Sequence, residues 1–120
     1  MADDDHDTAD STADLLRLDD HDVRSVYDGL QAVEMAKTFR PHLVILDINM
    51  PVMDGCEAAG ALRRQSADSE LVLIAHTSLT QRADLERVRR AGFNHHVSKP
   101  AGHRELEALV AKCREARAKS

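Results

Sequence analysis

The stretch 41–55, PHLVILDINMPVMDG, places four apolar residues directly before Asp47 and follows them with a proline and a glycine. A short continuous apolar run of this kind is typical of a strand that is buried on both faces of a parallel sheet. In open parallel sheets, functional groups gather beyond the carboxyl ends of the strands, because the connecting loops converge there. A carboxylate that closes such a strand therefore indicates a functional site.

The rest of the chain alternates in the same way, with short β-rich runs between longer helical ones. This alternation predicts βαβ units and an α/β fold with a parallel sheet flanked by helices. The predicted strands cover 22–27, 42–46, 71–75 and 95–97. The predicted helices cover 29–39, 55–65, 81–92 and 103–118, and a weakly apolar helix is predicted over 8–18.

Residues that favour helix ends stand at the predicted boundaries. Asp28, Asp54 and Thr80 occupy positions where N-caps are expected, because their side-chain oxygens can accept from the free amides of a first turn. Gly92 stands at the end of the predicted helix 81–92, the fourth in chain order, where a glycine C-cap is expected. These signals support the predicted order of elements.

Composition restricts the class of protein. A length of 120 residues predicts one domain, 1–120, and a net charge of -5 argues against a nucleic-acid surface, which needs clustered Lys and Arg. Cys56 and Cys113 lie far apart and are expected to be reduced thiols, which indicates a cytoplasmic protein. No apolar run approaches the roughly 20 residues that span a bilayer, so no membrane association is expected.

Three groups of different chemistry fall at or just past predicted strand ends. Asp47, Thr77 and Lys99 would bring a carboxylate, a hydroxyl and an ammonium into one crevice, and Asp3 and Asp4 would join them if the acidic start lies at the same edge. Clustered carboxylates repel one another, and Mg²⁺ is a hard cation that takes such oxygen ligands. A carboxylate held beside a metal and a lysine can accept a phosphoryl group as an aspartyl phosphate.

Four sequence blocks together resemble the receiver domains of two-component response regulators. The blocks are DDD near the start, LVILDINMPVMDG, IAHTS and GFNHHVSKP, in that order. The resemblance covers nearly the whole chain and includes chemotaxis regulators and receivers attached to hybrid sensor kinases. It implies a flavodoxin-like open parallel sheet with helices on both faces and a magnesium-dependent phosphorelay function.

The resemblance also implies a role for each matching residue. Asp47 is the implied phosphoacceptor, and Asp3 and Asp4 are the acidic pair that holds Mg²⁺ together with Asp47. Asn49 would offer its backbone carbonyl to the metal.

The remaining implied roles concern the phosphoryl group and the response to it. Thr77 would bond a phosphoryl oxygen and shift toward it, and Lys99 would pair with the phosphoryl group. His96 stands where many receivers carry the aromatic residue that rotates inward when the threonine moves. Thr77 and His96 are therefore the expected switch residues.

The implied partners are proteins. A sensor histidine kinase or a histidine phosphotransfer protein would supply the phosphoryl group. A downstream target, or a second copy of the chain in a homodimer, would contact the face made by the fourth family helix (81–92), the fifth family strand (95–97) and the fifth family helix (103–118). The rival hypothesis is a degenerate, unphosphorylated receiver that serves only as an interaction or dimerisation module. Catalysis by a phosphohydrolase is disfavoured, because Asn49 stands where such enzymes need a second carboxylate, so the chain is not expected to be an enzyme.

One region departs from the family pattern. A receiver normally begins with an apolar strand of about five residues that lies between the second and third strands in the order 2-1-3-4-5. Here only Met1 and Ala2 precede the acidic residues, so the first strand is expected to be missing or vestigial. Strand 2 would then close directly onto strand 3, or another chain would fill the gap, or the sequence is truncated. Residues 1–20 are expected to pack poorly and 117–120 to fray.

Overall fold

The computed structural model describes residues 1–18, 22–48, 50, 52–65, 71–77, 82–98 and 103–118. Its elements in chain order are α1 (His6–Arg17), α2 (Gly29–Phe39), β1 (Leu43–Leu46), α3 (Gly55–Gln65), β2 (Val72–Thr77), α4 (Arg82–Arg90), β3 (His95–Ser98) and α5 (His103–Ala118). Strands and helices alternate from β1 onward, as the hydrophobic pattern predicts. The predicted spans of α2, α3 and α5 are confirmed at both ends.

The three strands form a parallel sheet in the order β1-β2-β3. Leu46 lies opposite Ala75, and Thr77 lies opposite Ser98. All three strands therefore end at the same edge of the sheet, which we call the carboxyl edge. The parallel α/β architecture predicted from the sequence is confirmed.

A single residue, Ala2, takes the place of a strand beside β1. It forms isolated parallel bridges with Val26 on one side and with Leu46 on the other, and it has no exposed surface. The amide of Ala2 donates to the Ile45 carbonyl at 2.8 Å, and the amide of Asp47 donates to the Ala2 carbonyl at 2.9 Å. The first strand is thus vestigial, as expected, and of the three alternatives for the gap, direct closure of residues 22–27 onto β1 is wrong.

The predicted strand 22–27 is also wrong, because only Val26 makes a bridge and the neighbouring residues have no regular structure. A strand needs a paired neighbour along its length, and only Met1–Asp3 is available here. The bounds of α1, β1, β2, α4 and β3 also differ from prediction, each by one or two residues at an end. β2 extends to Thr77, and α4 ends at Arg90 because Gly92 adopts a φ of 106°.

Helices pack on both faces of the sheet and create two apolar clusters. One cluster lies between the sheet and α2, α3 and α4, with Leu46, Leu62 and Leu73 among its fully buried members. The other lies between the sheet and α1 and α5, around Ile45 and Ile74. Aliphatic residues fill both clusters apart from Phe93 in the first, as the composition predicts. No helix in the described ranges is both long and apolar enough to cross a membrane.

Aspartates cap the amino ends of three helices. Asp5 accepts from the amides of Asp7 and Thr8 at the start of α1, and Asp28 accepts from the amide of Gln31 at 2.7 Å at the start of α2. Asp54 accepts from the amide of Glu57 at 2.8 Å at the start of α3. The two caps predicted at positions 28 and 54 are confirmed, whereas the cap predicted at Thr80 lies outside the described residues.

The Arg63 guanidinium joins three segments at the opposite edge of the sheet. It donates to the Gly92 carbonyl at 2.8 Å and at 3.1 Å, to the Leu71 carbonyl at 2.5 Å and to Asn94 Oδ1 at 2.5 Å. Asn94 Oδ1 also accepts from the amide of Leu73. Arg63 therefore fixes the end of α3 to β2 and to the turn before β3.

Replacing Arg63 by Met should lower the free energy of unfolding by about 2–4 kcal/mol, because partly buried carbonyl oxygens lose a charged donor. The matched control is Arg64→Met at the exposed neighbouring position, which should cost under about 0.5 kcal/mol. Urea unfolding of the three proteins measures both values. Equal losses at the two positions would contradict this role for Arg63.

The terminal amino group of Met1 donates to the Arg24 carbonyl oxygen at 3.0 Å and so continues the pairing of the vestigial strand. Burial, and to a smaller extent the positive charge of Arg17, lowers the pKa of this amino group from 8.0 to about 5. Between pH 5 and pH 8 the unfolded chain therefore binds a proton that the folded chain does not bind.

This difference in pKa predicts that stability falls as the pH is lowered from 8 to 5 and then levels off. A shift of three units corresponds to about 4 kcal/mol at the plateau. The same chain acetylated at Met1 is the reference, because it retains the titration of every histidine. The stability difference between the two forms should grow as the pH falls, and a difference that stays constant from pH 8 to pH 5 would refute the low pKa.

Candidate functional site

Three carboxylates converge at the carboxyl edge. One oxygen each from Asp3, Asp4 and Asp47 can be chosen so that all three lie within 4.8 Å of one another. Asp3 has no exposed surface and Asp47 is 6% exposed, whereas Asp4 is exposed. Two buried carboxylates and one exposed carboxylate thus form an acidic trio that opens to solvent on one side.

The main chain around Ala2 positions this acidic trio. The amide of Asp3 donates to the Val26 carbonyl at 3.2 Å, and the amide of Asp47 donates to the Ala2 carbonyl at 2.9 Å. The amide of Asp5 donates to Asp3 Oδ1 at 3.0 Å and so orients that side chain. Backbone pairing and a local turn therefore hold Asp3 beside Asp47, although both lie next to a strand of one residue.

The loop after Asp47 returns closely against the main chain of Asp47. The amide of Gly55 donates to the Ile48 carbonyl at 2.8 Å. A Cβ atom at Gly55 would lie 2.3 Å from the Asp47 carbonyl oxygen, so only glycine permits this approach. This contact explains why the sequence needs glycine at the start of α3, and it gives the loop between Asp47 and α3 a rigid support.

Val52 lies in the same loop with a φ of 68°, which is unfavourable for a β-branched residue. Its side chain is 77% exposed. The neighbouring main chain is fixed on the other side, because the Met53 carbonyl accepts from the amide of Gly29 at 3.1 Å. The strained backbone is therefore set by the close return of the loop and not by packing of the valine.

Thr77 and His96 lie on the two strands beyond Asp47. Thr77 ends β2 at the carboxyl edge and has no exposed surface. His96 lies opposite Ala75 on β3, is half-buried, and its Nε2 has no hydrogen-bond partner among the described residues. Thr77 thus shares the edge with Asp47, as its position in the sequence predicts.

Two residues with sequence-based roles in the site lie outside the described residues. These are Asn49 and Lys99. Lys99 follows Ser98, which is paired with Thr77 at the end of β3.

Two further groupings were not predicted from the sequence. The Tyr27 hydroxyl donates to Asp10 at 2.8 Å, and the His6 ring stacks on the Tyr27 ring with centroids 3.8 Å apart. Arg87 of α4 contacts Asp54 at 2.7 Å. Both join residues that are far apart in the chain, and no local pattern in the sequence indicates such pairs.

The donor set of the acidic trio fits a hard divalent cation. Carboxylate oxygens are the ligands that Mg²⁺ prefers, and Mg²⁺ commonly keeps several waters on its open side. The exposure of Asp4 leaves room for such waters. A cation here would also offset the repulsion between three negative groups in a partly buried setting.

Sequence comparisons show which known proteins this chain is similar to. The family model of the response regulator receiver domain matches residues 1–111. The transcriptional regulatory protein PrrA of Mycobacterium bovis is 39% identical over 112 residues, which are 92% of this chain and 46% of PrrA. The polar-differentiation response regulator DivK of Brucella anthropi is 30% identical over 87 residues, 72% of this chain and 71% of DivK. The chain therefore spans about half the length of PrrA.

Solved structures agree with the sequence comparisons. The chemotaxis protein CheY4 of Vibrio cholerae superposes with a TM-score of 0.87 at 25% identity over 93% of each chain. The receiver domain of a sensor histidine kinase from Pseudomonas aeruginosa superposes with a TM-score of 0.80 at 28% identity over 92% of each chain. That second structure has a magnesium ion coordinated in its active site cleft.

Proposed function

Because this chain belongs to the family of response regulator receiver domains, which act in two-component signalling, we propose that Asp47 is its phosphoacceptor. The observation that carries the proposal is the convergence of Asp3, Asp4 and Asp47 at the carboxyl edge. Asp47 is largely buried, and its main chain is held by Ala2 on one side and supported by Gly55 on the other. This placement supports an attacking group with a fixed orientation.

In the proposed reaction a carboxylate oxygen of Asp47 attacks the phosphorus atom of a phosphohistidine. The new bond is the O–P bond of an acyl phosphate, and the bond that breaks is the P–N bond of the donor. The donor imidazole keeps the electron pair and takes up a proton from solvent. The product carries one phosphoryl group on Asp47.

Asp3, Asp4 and Asp47 would hold Mg²⁺, with the Asn49 backbone carbonyl as a further ligand expected from the family pattern. The bound ion supplies positive charge that offsets the charge on the transferring phosphoryl oxygens. The amide of Asp5 holds the Asp3 carboxylate in place for this role. The Lys99 ammonium would act on the phosphoryl group from the end of β3.

Thr77 would bond a phosphoryl oxygen, and His96 would respond to the movement of Thr77. Thr77 is fully buried at the end of β2 and shares the carboxyl edge with Asp47. His96 is half-buried, and its Nε2 has no hydrogen-bond partner among the described residues. An arrangement of the ring that supplies a partner would therefore be favourable. Phosphorylation would then bias an existing equilibrium between two arrangements.

The proposed phosphoryl donors are a sensor histidine kinase or a histidine phosphotransfer protein, and the proposed compartment is the cytoplasm. The proposed output surface is the face made by α4, β3 and α5, which would contact a target protein or a second copy of the chain. The chain would act as a switch and not as an enzyme. Asn49 stands two residues after Asp47, where a phosphohydrolase would need a second carboxylate for rapid turnover.

Addition of Mg²⁺ should stabilise the protein through the acidic trio. At one hundred times its dissociation constant a bound ion adds about 2.7 kcal/mol to the free energy of unfolding. Asp47→Asn should lose most of this effect, whereas Asp28→Asn, which alters an N-cap outside the trio, should keep it. Urea unfolding in Mg²⁺ and in chelator gives the comparison. Absence of stabilisation in the unaltered protein would favour the degenerate, unphosphorylated receiver.

Incubation with Mg²⁺ and acetyl phosphate should increase the mass of the protein by one phosphoryl group, with acetate as the leaving group. Asp47→Ala should abolish the increase, and Asp28→Asn should retain it. Intact-protein mass spectrometry measures the result. An increase that survives Asp47→Ala would refute the assignment of the acceptor.

A further inference from the structure

Arg87 and Asp54 form a contact that joins α4 to the loop between Asp47 and α3. Arg87 Nη2 lies 2.7 Å from Asp54 Oδ2, across 33 positions of the sequence. The other ion pairs among the described residues join positions two to four apart. Asp54 keeps only 26% of its side chain exposed, so this pair is partly shielded from water.

The contact shifts the pKa values of both Asp54 and Arg87 toward the charged forms. Burial raises the pKa of Asp54, but the amide of Glu57 and the Arg87 guanidinium lower it by more, so the carboxyl pKa lies below its ordinary value. The hydrogen bond to Asp54 raises the pKa of Arg87. Asp54 therefore serves α3 as an N-cap and α4 as an ion-pair partner.

Asp54 is also close to the proposed acceptor through the main chain. It precedes Gly55, whose amide donates to the Ile48 carbonyl. The Cα of Gly55 lies so close to the Asp47 carbonyl that a Cβ would not fit. The position of Asp54 relative to Asp47 is therefore set by backbone contacts. A force on the Asp54 carboxylate therefore acts on the main chain that supports Asp47.

Few apolar side chains hold α4 in place among the described residues. Val88 is the only fully buried one of the nine residues of α4, and Leu85 is half-buried. Packing of so few apolar side chains gives a weak constraint on the position of a helix. The Arg87–Asp54 pair therefore adds a contact between α4 and α3, beside the bonds from Arg63 to the Gly92 carbonyl in the turn after α4.

We propose that Arg87 is a positioning residue that holds α4, through Asp54, in the arrangement without a phosphoryl group and so sets how readily Asp47 is phosphorylated. This inference rests on the proposed function, because α4 follows Thr77 in the chain and Thr77 is the group proposed to move toward a phosphoryl oxygen. An interaction made in one of two arrangements favours that arrangement. Loss of the pair lowers the cost of reaching the other arrangement.

The test measures the affinity for beryllofluoride, a mimic of the phosphoryl group, at saturating Mg²⁺ by calorimetric titration. Arg87→Gln should bind about two- to fivefold more tightly, which is the range expected for one partly exposed ion pair. Asp54→Asn should shift the affinity equally, because asparagine retains the N-cap. The double variant should shift no further than either single one, and Arg87→Lys should lie near the unaltered protein.

Arg82→Gln is the matched control, because Arg82 pairs with Glu86 inside the same helix at 3.9 Å. It should leave the affinity unchanged. A merely structural role for Arg87 would lower the free energy of unfolding without changing the affinity. Equal affinity in Arg87→Gln and Arg82→Gln, weaker binding, or additive effects in the double variant would each overturn the inference.

Failure of the proposed function gives a different result. If the unaltered protein does not bind beryllofluoride, or binds it equally after Asp47→Asn, the assignment of Asp47 is wrong. If the unaltered protein binds it through Asp47 but the Arg87 and Asp54 variants do not differ from it, only the role of Arg87 is wrong.

Discussion

The carboxyl edge depends on the backbone pairing of Ala2. Five hydrogen bonds of 2.8–3.2 Å link Met1, Ala2 and Asp3 to the main chain on both sides. Each contributes about 1 kcal/mol net, but together they determine where the chain turns from extended backbone into α1. Asp3 emerges from this pairing beside Asp47, so a strand of one residue is sufficient to bring the acidic trio together.

The carboxylates near the carboxyl edge lie where backbone amides or a bound cation can offset their negative charge. The capping carboxylates of Asp28 and Asp54 lie at helix amino ends, where the backbone amides of α2 and α3 favour them. The acidic trio has two buried members and gains most from a bound cation. The same edge receives the support of Gly55 and, through Asp54, the guanidinium of α4. The proposed metal binding, the proposed phosphoryl transfer and the position of α4 thus depend on one set of main-chain contacts.

Sequence reasoning succeeded where one local signal decided the structure. Caps and 3.6-residue periodicity gave the bounds of α2, α3 and α5, and the apolar run before Asp47 predicted β1 and its functional end. It failed for 22–27, because a β-rich composition cannot form a strand without a neighbour of equal length. The proximity of Asp3 to Asp47 was expected on the condition that the acidic start lies at the carboxyl edge, and the family resemblance implied the same. The Arg87–Asp54 pair was not predicted, since it depends on the packing angle of two helices.

Amide hydrogen exchange of the metal-free protein tests the central role of Ala2 most directly. The account predicts that the amides of Asp3 and Asp47, which donate to Val26 and Ala2, exchange as slowly as those within β1. Slow exchange would mean that the acidic trio is organised before any ion binds. Exchange of either amide at the rate of an unstructured peptide would contradict the account, because the carboxylates would then come together only after an ion arrives.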